Sequence, residues 1–92
     1  GCNIENASYG LTNCAERTAI FKAVSEGHTN FKALAVVADT EGPCAPCGAC
    51  RQVMGEFNIP IIIMRNMKGN IKVVSIEALL PFSFSSNDVI DR

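Results

Sequence analysis

The chain is poor in basic charge and in long apolar segments. Its eight lysine and arginine residues are scattered over 92 positions, and its formal net charge is −1. Proteins that bind a phosphate backbone usually carry a basic patch, so we expect no nucleic acid polymer as a partner. The longest uninterrupted apolar run, Ile59 to Met64, is too short to cross a bilayer, and we expect no charged-then-apolar leader. We therefore expect a soluble, cytoplasmic protein without a membrane partner.

Histidine is almost absent, whereas cysteine is frequent. The one histidine, His28, lies in a polar loop after the first predicted helix, so we expect it to be exposed and not to bind a metal. The five cysteines are odd in number, and Cys44, Cys47 and Cys50 fall in one short segment. This spacing favours metal ligation over a disulfide framework and indicates a reducing compartment. We expect Cys2 to be a small packing residue.

No internal repeat, low-complexity tract or linker divides the chain, so we interpret it as one domain over residues 1–92. With 48% apolar residues, a chain of this length buries only about 60 to 65% of the surface that its unfolded form exposes. Metal ligation and oligomerisation are the usual additional sources of stability at this size. The chain enters directly at Gly1 without a preceding element, and we expect the domain to be N-terminally incomplete.

Apolar periodicity and turn residues predict an alternation of helices and strands. The predicted helices cover residues 13–26, 47–57 and 75–80, the predicted strands cover residues 33–38, 61–64 and 71–74, and a polar tail covers residues 82–92. The first strand has no polar residue, which predicts burial on both faces. A helix separates the first two strands, so they should be parallel, whereas the short connection before the third predicts an antiparallel pair. The sequence therefore predicts an α/β fold with a mixed β-sheet.

Two cysteine motifs lie at the starts of the first two predicted helices. Cys14 precedes Glu16 by two residues, and Pro46 begins a Pro-Cys-x-x-Cys motif with Cys47 and Cys50. Helix starts favour thiolates, and three thiolates leave one tetrahedral position of zinc open, as in catalytic sites. Glu16 can then move protons to and from a metal-activated water without binding the metal. This arrangement resembles the pattern of zinc deaminases that use three cysteine ligands.

Each of these residues also has an ordinary structural interpretation. Asn13 followed by Glu16 forms a capping-box pattern, in which the carboxylate only satisfies a helix-start amide. Cys47 and Cys50 alone would fit a redox dithiol or a structural zinc knuckle. Cys44 shares their spacing, so a closed four-cysteine zinc site or an iron–sulfur cluster is an alternative.

Arg17 follows Glu16 directly and is the best candidate for a positive charge beside the cysteines. Three thiolates on one divalent zinc leave a net negative centre, and a guanidinium that donates to the ligand sulfurs would offset it. The ordinary alternative is a solvated charge on the helix. Two further candidates, Phe82 and Phe84, are aromatic residues in a polar tail; they could cover the core or fill a pocket in a neighbouring subunit.

The motifs together resemble the cytidine deaminases of the small homotetrameric kind over nearly the whole chain. The motifs that carry the resemblance are Gly1-Cys2-Asn3-Ile4-Glu5-Asn6, residues 13–18, Pro46-Cys47-Gly48-Ala49-Cys50-Arg51-Gln52, and Leu79-Leu80-Pro81 with Phe84-Ser85-Ser86. The resemblance implies a three-layer fold, of which this chain lacks the family's N-terminal helix and first two strands. It also implies a homotetramer.

For the site, the resemblance implies one Zn²⁺ per chain on Cys14, Cys47 and Cys50. Glu16 would be the proton shuttle in the conversion of cytidine and deoxycytidine to uridine and deoxyuridine, with release of ammonia, as in pyrimidine salvage.

The substrate contacts implied by the resemblance come from four other residues. Asn3 and Glu5 would bind the ribose hydroxyl, Ala15 would contact the base through its backbone, and Phe84 would reach a neighbouring subunit's pocket. Asn3 and Glu5 alternate on an extended segment and so point the same way, which suits a polar substrate, although an exposed strand edge would look alike.

Two alternative functions remain from the sequence. One is deamination of another aminopyrimidine nucleoside. The Asn3 and Glu5 pair favours a substrate that carries a ribosyl group. The other is a closed structural-zinc or iron–sulfur binding module that uses Cys44 as the additional ligand.

Overall fold

The computed structural model describes residues 1–84, and the tail residues 85–92, which include Ser85 and Ser86 of the last motif, lie outside the described residues. The fold is built on a sheet of three strands, β1 (Ala33–Ala38), β2 (Ile61–Asn66) and β3 (Ile71–Ser75), in the order β1-β2-β3. Strand β1 is parallel to β2, and β2 is antiparallel to β3. The predicted mixed sheet is therefore confirmed.

Three α-helices accompany the sheet: α1 (Ala15–Ser25), α2 (Gly48–Glu56) and α3 (Ile76–Leu79). A short 3-10 helix over Tyr9–Leu11, which the sequence did not predict, precedes them. Helix α1 ends before Gly27, whose φ of 92° is the left-handed conformation that suits glycine after a helix. Helix α3 begins where the Ser75 hydroxyl accepts a hydrogen bond from the Ala78 N–H at 3.2 Å. The helices begin and end within about two residues of their predicted bounds.

The helices pack on one face of the sheet, where they form the core. The buried cluster combines residues of α1 and α2, of one face of β1 and β2, and of the loop before β2: Ile20, Val36, Cys50, Met54, Ile59, Ile62 and Met64. Side chains of a strand alternate between faces, and the cluster accordingly takes Val36 from β1 and the alternate residues Ile62 and Met64 from β2. Two layers, helices and mixed sheet, are thus present in the described residues.

The other face of the sheet is open within residues 1–84. Val37 of β1 is 53% exposed, and Ile71 and Val73 of β3 are 56% and 60% exposed. The prediction that β1 is buried on both faces is therefore wrong for this part of the chain. The reason is physical: an apolar run shows that a strand can be covered on two sides, but not which segment covers it.

The Asn66 side chain forms hydrogen bonds with the loop between β1 and α2. Its side chain is the only buried polar one in the core of the described residues, and its Nδ2 donates to the carbonyls of Thr40 at 3.0 Å and Glu41 at 2.9 Å. Its Oδ1 accepts from the N–H groups of Lys68 and Asn70. The loop that leads to the second cysteine motif is therefore tied to the end of β2. Among residues 1–84, no helix combines the length and apolarity that a membrane crossing requires.

Candidate active site

The first half of the site is the start of α1. Cys14 is the cap residue, with extended backbone at φ −69° and ψ 156°, and its carbonyl accepts from the N–H of Thr18 at 3.0 Å. The Cys14 thiol therefore lies where the free N–H groups and the helix dipole favour negative charge. Asn13 is not the cap, and the Cys14 side chain makes no capping bond.

The second half is the start of α2. Pro46 is buried, and Cys47 caps the helix with its sulfur, which accepts a hydrogen bond from the Cys50 N–H at 3.4 Å. The packing of α1 against α2 brings the two motifs together across 33 residues of sequence, with Cys14 Sγ 3.8 Å from Cys47 Sγ. Cys47 Sγ and Cys50 Sγ are 3.3 Å apart.

Cys14, Cys47 and Cys50 form a three-cysteine group whose sulfur atoms all lie within 4.8 Å of one another. The hydrogen bond from the Cys50 N–H lowers the pKa of the Cys47 thiol, whereas burial is the main cause that raises the pKa of the Cys50 thiol. Three sulfurs at such distances, one already favoured as a thiolate, fit a soft divalent cation with one position left open.

Arg17 completes the charge balance of the three-cysteine group. Its Nη2 donates to the Thr12 carbonyl at 3.2 Å and lies 3.6 Å from Cys14 Sγ. Hydrogen bonds to Cys14 and Cys50 raise the pKa of its guanidinium, against the opposing effect of burial. Its Nε is buried and has no hydrogen-bond partner among residues 1–84. A guanidinium with an unused buried donor fits thiolate ligands that carry the charge of a bound metal.

Glu16 lies beside the three-cysteine group and not in a capping box. After burial and the neighbouring thiols, the Glu16 carboxylate is a further cause that raises the pKa of the Cys50 thiol. It also lines a cavity of about 260 Å³, whose other walls are Gly1, Ala15, Ala19 and the residues 34–37 of β1. The capping interpretation of Glu16 is wrong because Cys14, and not Asn13, caps α1.

The N-terminal segment lies along the start of α1. Ile4 and Asn13 exchange two backbone hydrogen bonds, of 2.8 and 3.0 Å. Asn3 Oδ1 accepts from the Ala15 N–H at 2.8 Å. The Asn3 amide therefore contacts the residue that lies between Cys14 and Glu16 in the sequence. Neither motif spacing nor periodicity indicated this bond, which depends on the tertiary path of residues 1–4.

The remaining candidate residues lie apart from this cluster. Glu5 is exposed and makes no hydrogen bond or ion pair within the described residues. Phe84 is 56% exposed, and its carbonyl accepts from Gln52 Nε2 at 2.6 Å. The neighbouring Arg51 donates from Nε to the Pro46 carbonyl at 2.9 Å and from Nη1 to the Leu79 carbonyl at 3.1 Å. The end of the described chain is thus anchored on α2, which sequence analysis missed.

The cysteines outside the group and the histidine are readily placed. Cys44 is half-buried against the core and is not among the three grouped cysteines of the described chain. Cys2 is exposed, so the expectation that it is a small packing residue is wrong; this segment contacts α1 through Gly1 and the Asn3 side chain. His28 is exposed as expected.

A carboxylate beside three cysteines at two helix starts defines, by its chemistry, a zinc site built for hydrolysis. The family described as the cytidine and deoxycytidylate deaminase zinc-binding region matches residues 1–66 of the chain. The chain belongs to this zinc-dependent deaminase family. Zinc is accordingly its cofactor, and Cys14, Cys47 and Cys50 are the group positioned to bind it.

Similar proteins of known name agree with this assignment. The chain is 60% identical to a cytidine deaminase of Sporosarcina psychrophila over 92 residues, which is 97% of this chain and 67% of the relative. It is 55% identical to a cytidine deaminase of Halalkalibacterium halodurans over 94 residues, covering 99% and 70% of the two chains. The crystal structure of cytidine deaminase from Burkholderia pseudomallei superimposes with a TM-score of 0.87 at 56% identity, covering 91% of this chain and 69% of that one.

Proposed function

We propose that this protein catalyses the hydrolytic deamination of cytidine and deoxycytidine to uridine and deoxyuridine, with release of ammonia. The observation that carries the proposal is the position of Glu16, which lies beside the Cys50 thiol and also lines the cavity. One carboxylate therefore faces both the metal-binding group and a space for substrate. The names of the two relatives support cytidine as the substrate.

Zinc, when bound by the three cysteines, supplies Lewis-acid activation of the water that hydrolysis consumes. The chain's own contribution is proton transfer by Glu16. Its carboxylate would take one proton from the attacking water and pass it to the ring nitrogen N3. It would then take the remaining proton from the new hydroxyl on C4 and pass it to the amine, so that ammonia leaves as the C4 carbonyl forms. The half-buried position of Glu16 on the first turn of α1 holds it in place for these transfers.

Arg17 adjusts the charge of the three-cysteine group. Its contact with Cys14 Sγ at 3.6 Å withdraws electron density from a ligand sulfur, which makes a zinc ion with three thiolates a better Lewis acid. Arginine suits this position because its guanidinium remains charged even where it is partly desolvated.

Asn3, Glu5 and Ala15 are the proposed substrate contacts on this chain. Asn3 Oδ1 is already engaged by the Ala15 N–H, so the Asn3 Nδ2 group is left to donate to a sugar hydroxyl. A contact from the Ala15 N–H to the base requires that this N–H be shared with, or released by, Asn3. Glu5 lies two residues along the same segment and would accept from the sugar.

We also propose a homotetramer in which Phe84 reaches the site of a neighbouring subunit. Phe82 is fully exposed and Phe84 is 56% exposed, which is unusual for phenylalanine and favours contact with a second chain. A cytoplasmic location and a role in pyrimidine salvage complete the proposal. Free thiols at the site suit a reducing compartment.

The closed four-cysteine module is the weaker candidate. Cys44 packs half-buried on the core and lies outside the three-cysteine group of the described chain. A closed site also gives no role to the carboxylate of Glu16 beside the group.

The proposal is tested by ammonia release from cytidine by the full chain loaded with zinc. Glu16→Ala should lower turnover by about 10²- to 10⁴-fold, because general acid–base catalysis contributes that much, while zinc content and fold are retained. Glu56→Ala, at the exposed end of α2, is the matched control and should react as the unchanged protein does. Absence of ammonia release from the unchanged protein, or near-normal turnover in Glu16→Ala, would contradict the proposal.

A further inference from the structure

Gly1 is in closer contact with α1 than any residue with a side chain could be. A Cβ atom built on Gly1 would lie 2.5 Å from the Ala15 carbonyl oxygen and 2.7 Å from the Ala19 nitrogen. Both are backbone atoms of a helix, so neither can rotate away as a side chain would. The contact of residues 1–4 with α1 thus requires glycine at position 1.

This contact lies two residues from Asn3, whose amide is held by one hydrogen bond. Ala15 is the first residue of α1, and its N–H has no acceptor within the helix. Asn3 Oδ1 supplies that acceptor at 2.8 Å. The position of the Asn3 side chain therefore depends on how closely residues 1–4 approach α1.

We propose that Gly1 is a positioning residue for nucleoside recognition: its lack of a side chain sets the distance between the N-terminal segment and α1, and so aims the Asn3 amide at the sugar. To restore an ordinary contact of 3.4–4 Å with the Ala15 carbonyl oxygen, a methyl group at position 1 must push the backbone away by roughly 0.9 Å or more. The bond from Asn3 to Ala15 would then exceed about 3.2 Å, the usual limit for such hydrogen bonds.

Gly10 provides the matched control. It lies in the same N-terminal segment, and a Cβ built on it meets no atom within 4 Å. Gly10→Ala therefore makes the same chemical change, with the same effect on the unfolded chain, but without the contact to α1.

The first measurement does not depend on the reaction. Amide hydrogen exchange at Ala15, followed by NMR in the zinc-loaded protein, reports directly on the bond to Asn3, because that N–H has no acceptor in its own helix. Gly1→Ala and Asn3→Ala should each accelerate exchange at Ala15 roughly tenfold or more. Gly10→Ala should leave it unchanged.

The second measurement rests on the proposed function. Gly1→Ala should raise KM for cytidine on the order of 10- to 100-fold, since a displacement near 1 Å has effects of this size. Turnover of free cytosine, which has no sugar, and zinc content should change little. In the Asn3→Ala background, Gly1→Ala should add less than about twofold, because two residues that act through one contact are not additive.

Several results would overturn the inference. The first is an unchanged exchange rate at Ala15 in Gly1→Ala, and the second is equal behaviour of the Gly1→Ala and Gly10→Ala variants. The third is a full additional rise of KM when Gly1→Ala is combined with Asn3→Ala. The fourth is loss of folding or of zinc in Gly1→Ala. The last would assign Gly1 to the core instead of the sugar contact. If the unchanged protein does not deaminate cytidine, the proposed function fails separately, and the exchange measurement still decides the role of Gly1.

Discussion

At the scale of residues, the three-cysteine group separates the cysteines by role. Cys14 and Cys47 both cap helices, and Cys50 lies buried one turn into α2. Cys44 has the same spacing to Cys47 as Cys47 has to Cys50, yet it packs half-buried against the core. Position relative to a helix start, and not spacing alone, therefore distinguishes a ligand from a packing residue.

We expect one zinc ion per chain, which is lost in Cys47→Ser and retained in Cys44→Ser. A serine hydroxyl is a poor zinc ligand, whereas Cys44 lies outside the group of sulfurs within 4.8 Å. Metal quantitation on the two purified variants checks this expectation, and each serves as the control for the other. Zinc loss in Cys44→Ser would instead favour the closed four-cysteine site.

Single residues also show where sequence reasoning was sufficient. The three-cysteine group was predicted from spacing and helix-start position together, and the structure brings its sulfur atoms within 4.8 Å of one another. Glu16 had two interpretations, and the structure removes the capping box by placing the cap at Cys14, while the catalytic role stays a prediction. Gly1 and Asn66 gave no local signal, since their roles arise from contacts with segments distant in the sequence.

At the scale of elements, periodicity predicted the bounds of helices and strands well, but not which other segments they contact. Strand β1 has the bounds that the sequence predicts, residues 33–38, and α2 begins at Gly48, next to the predicted start. The bridge between Ile4 and Asn13 was not predicted, because a pair of hydrogen bonds between short irregular segments leaves no periodic pattern. The open face of β1 was missed because an apolar run does not show which segment covers a strand.

Arg51 joins three elements, and we expect Arg51→Ala to destabilise the fold. Its guanidinium donates to the carbonyls of Pro46 and Leu79, and hydrogen bonds to a charged group contribute about 1.5 to 3 kcal/mol each. Two such bonds at the low end of this range amount to about 3 kcal/mol, which would lower Tm by roughly 12 to 24 °C in a domain of this size.

Thermal unfolding of the zinc-loaded variants provides the measurement. Arg65→Ala is the control, since Arg65 is exposed on β2 and makes no hydrogen bond from its side chain within the described residues. A Tm in Arg51→Ala equal to that of the control would show that the two carbonyl contacts contribute nothing to stability.

At the scale of the whole molecule, the exposed end of the described chain leads to an expectation about assembly. Gln52 donates a hydrogen bond to the Phe84 carbonyl, while the Phe84 side chain stays largely exposed. The Phe84 ring is therefore available to another chain. Phe84→Ala should therefore weaken substrate binding without loss of zinc. Mixing it with Glu16→Ala should restore part of the activity, because some mixed assemblies pair an intact Glu16 with an intact Phe84.

The mixing experiment is read by ammonia release after subunit exchange has been demonstrated. The double variant Glu16→Ala/Phe84→Ala, mixed with either single variant, is the control and should give no recovery. A fully active monomer in sedimentation would contradict the shared site.

Removal of zinc should also have an effect on the whole molecule. The ion would link Cys14 to Cys47 across 33 residues of sequence, in the manner of a covalent cross-link. Closing a loop of this length lowers the entropy of the unfolded chain by an amount worth about 4 kcal/mol at 25 °C. We expect a chelator to lower Tm by roughly 15 °C or more, and an unchanged Tm on complete metal removal would disprove the linkage.

The two helix starts meet at the cysteines, so the metal that serves the reaction would also link α1 to α2. A chain that fails to acquire zinc would then lose its chemistry and the stability of this link together. Inactive but well-folded molecules should therefore not accumulate. Protease resistance would report metal occupancy, and a cell could clear the empty protein by ordinary turnover of loosely folded chains.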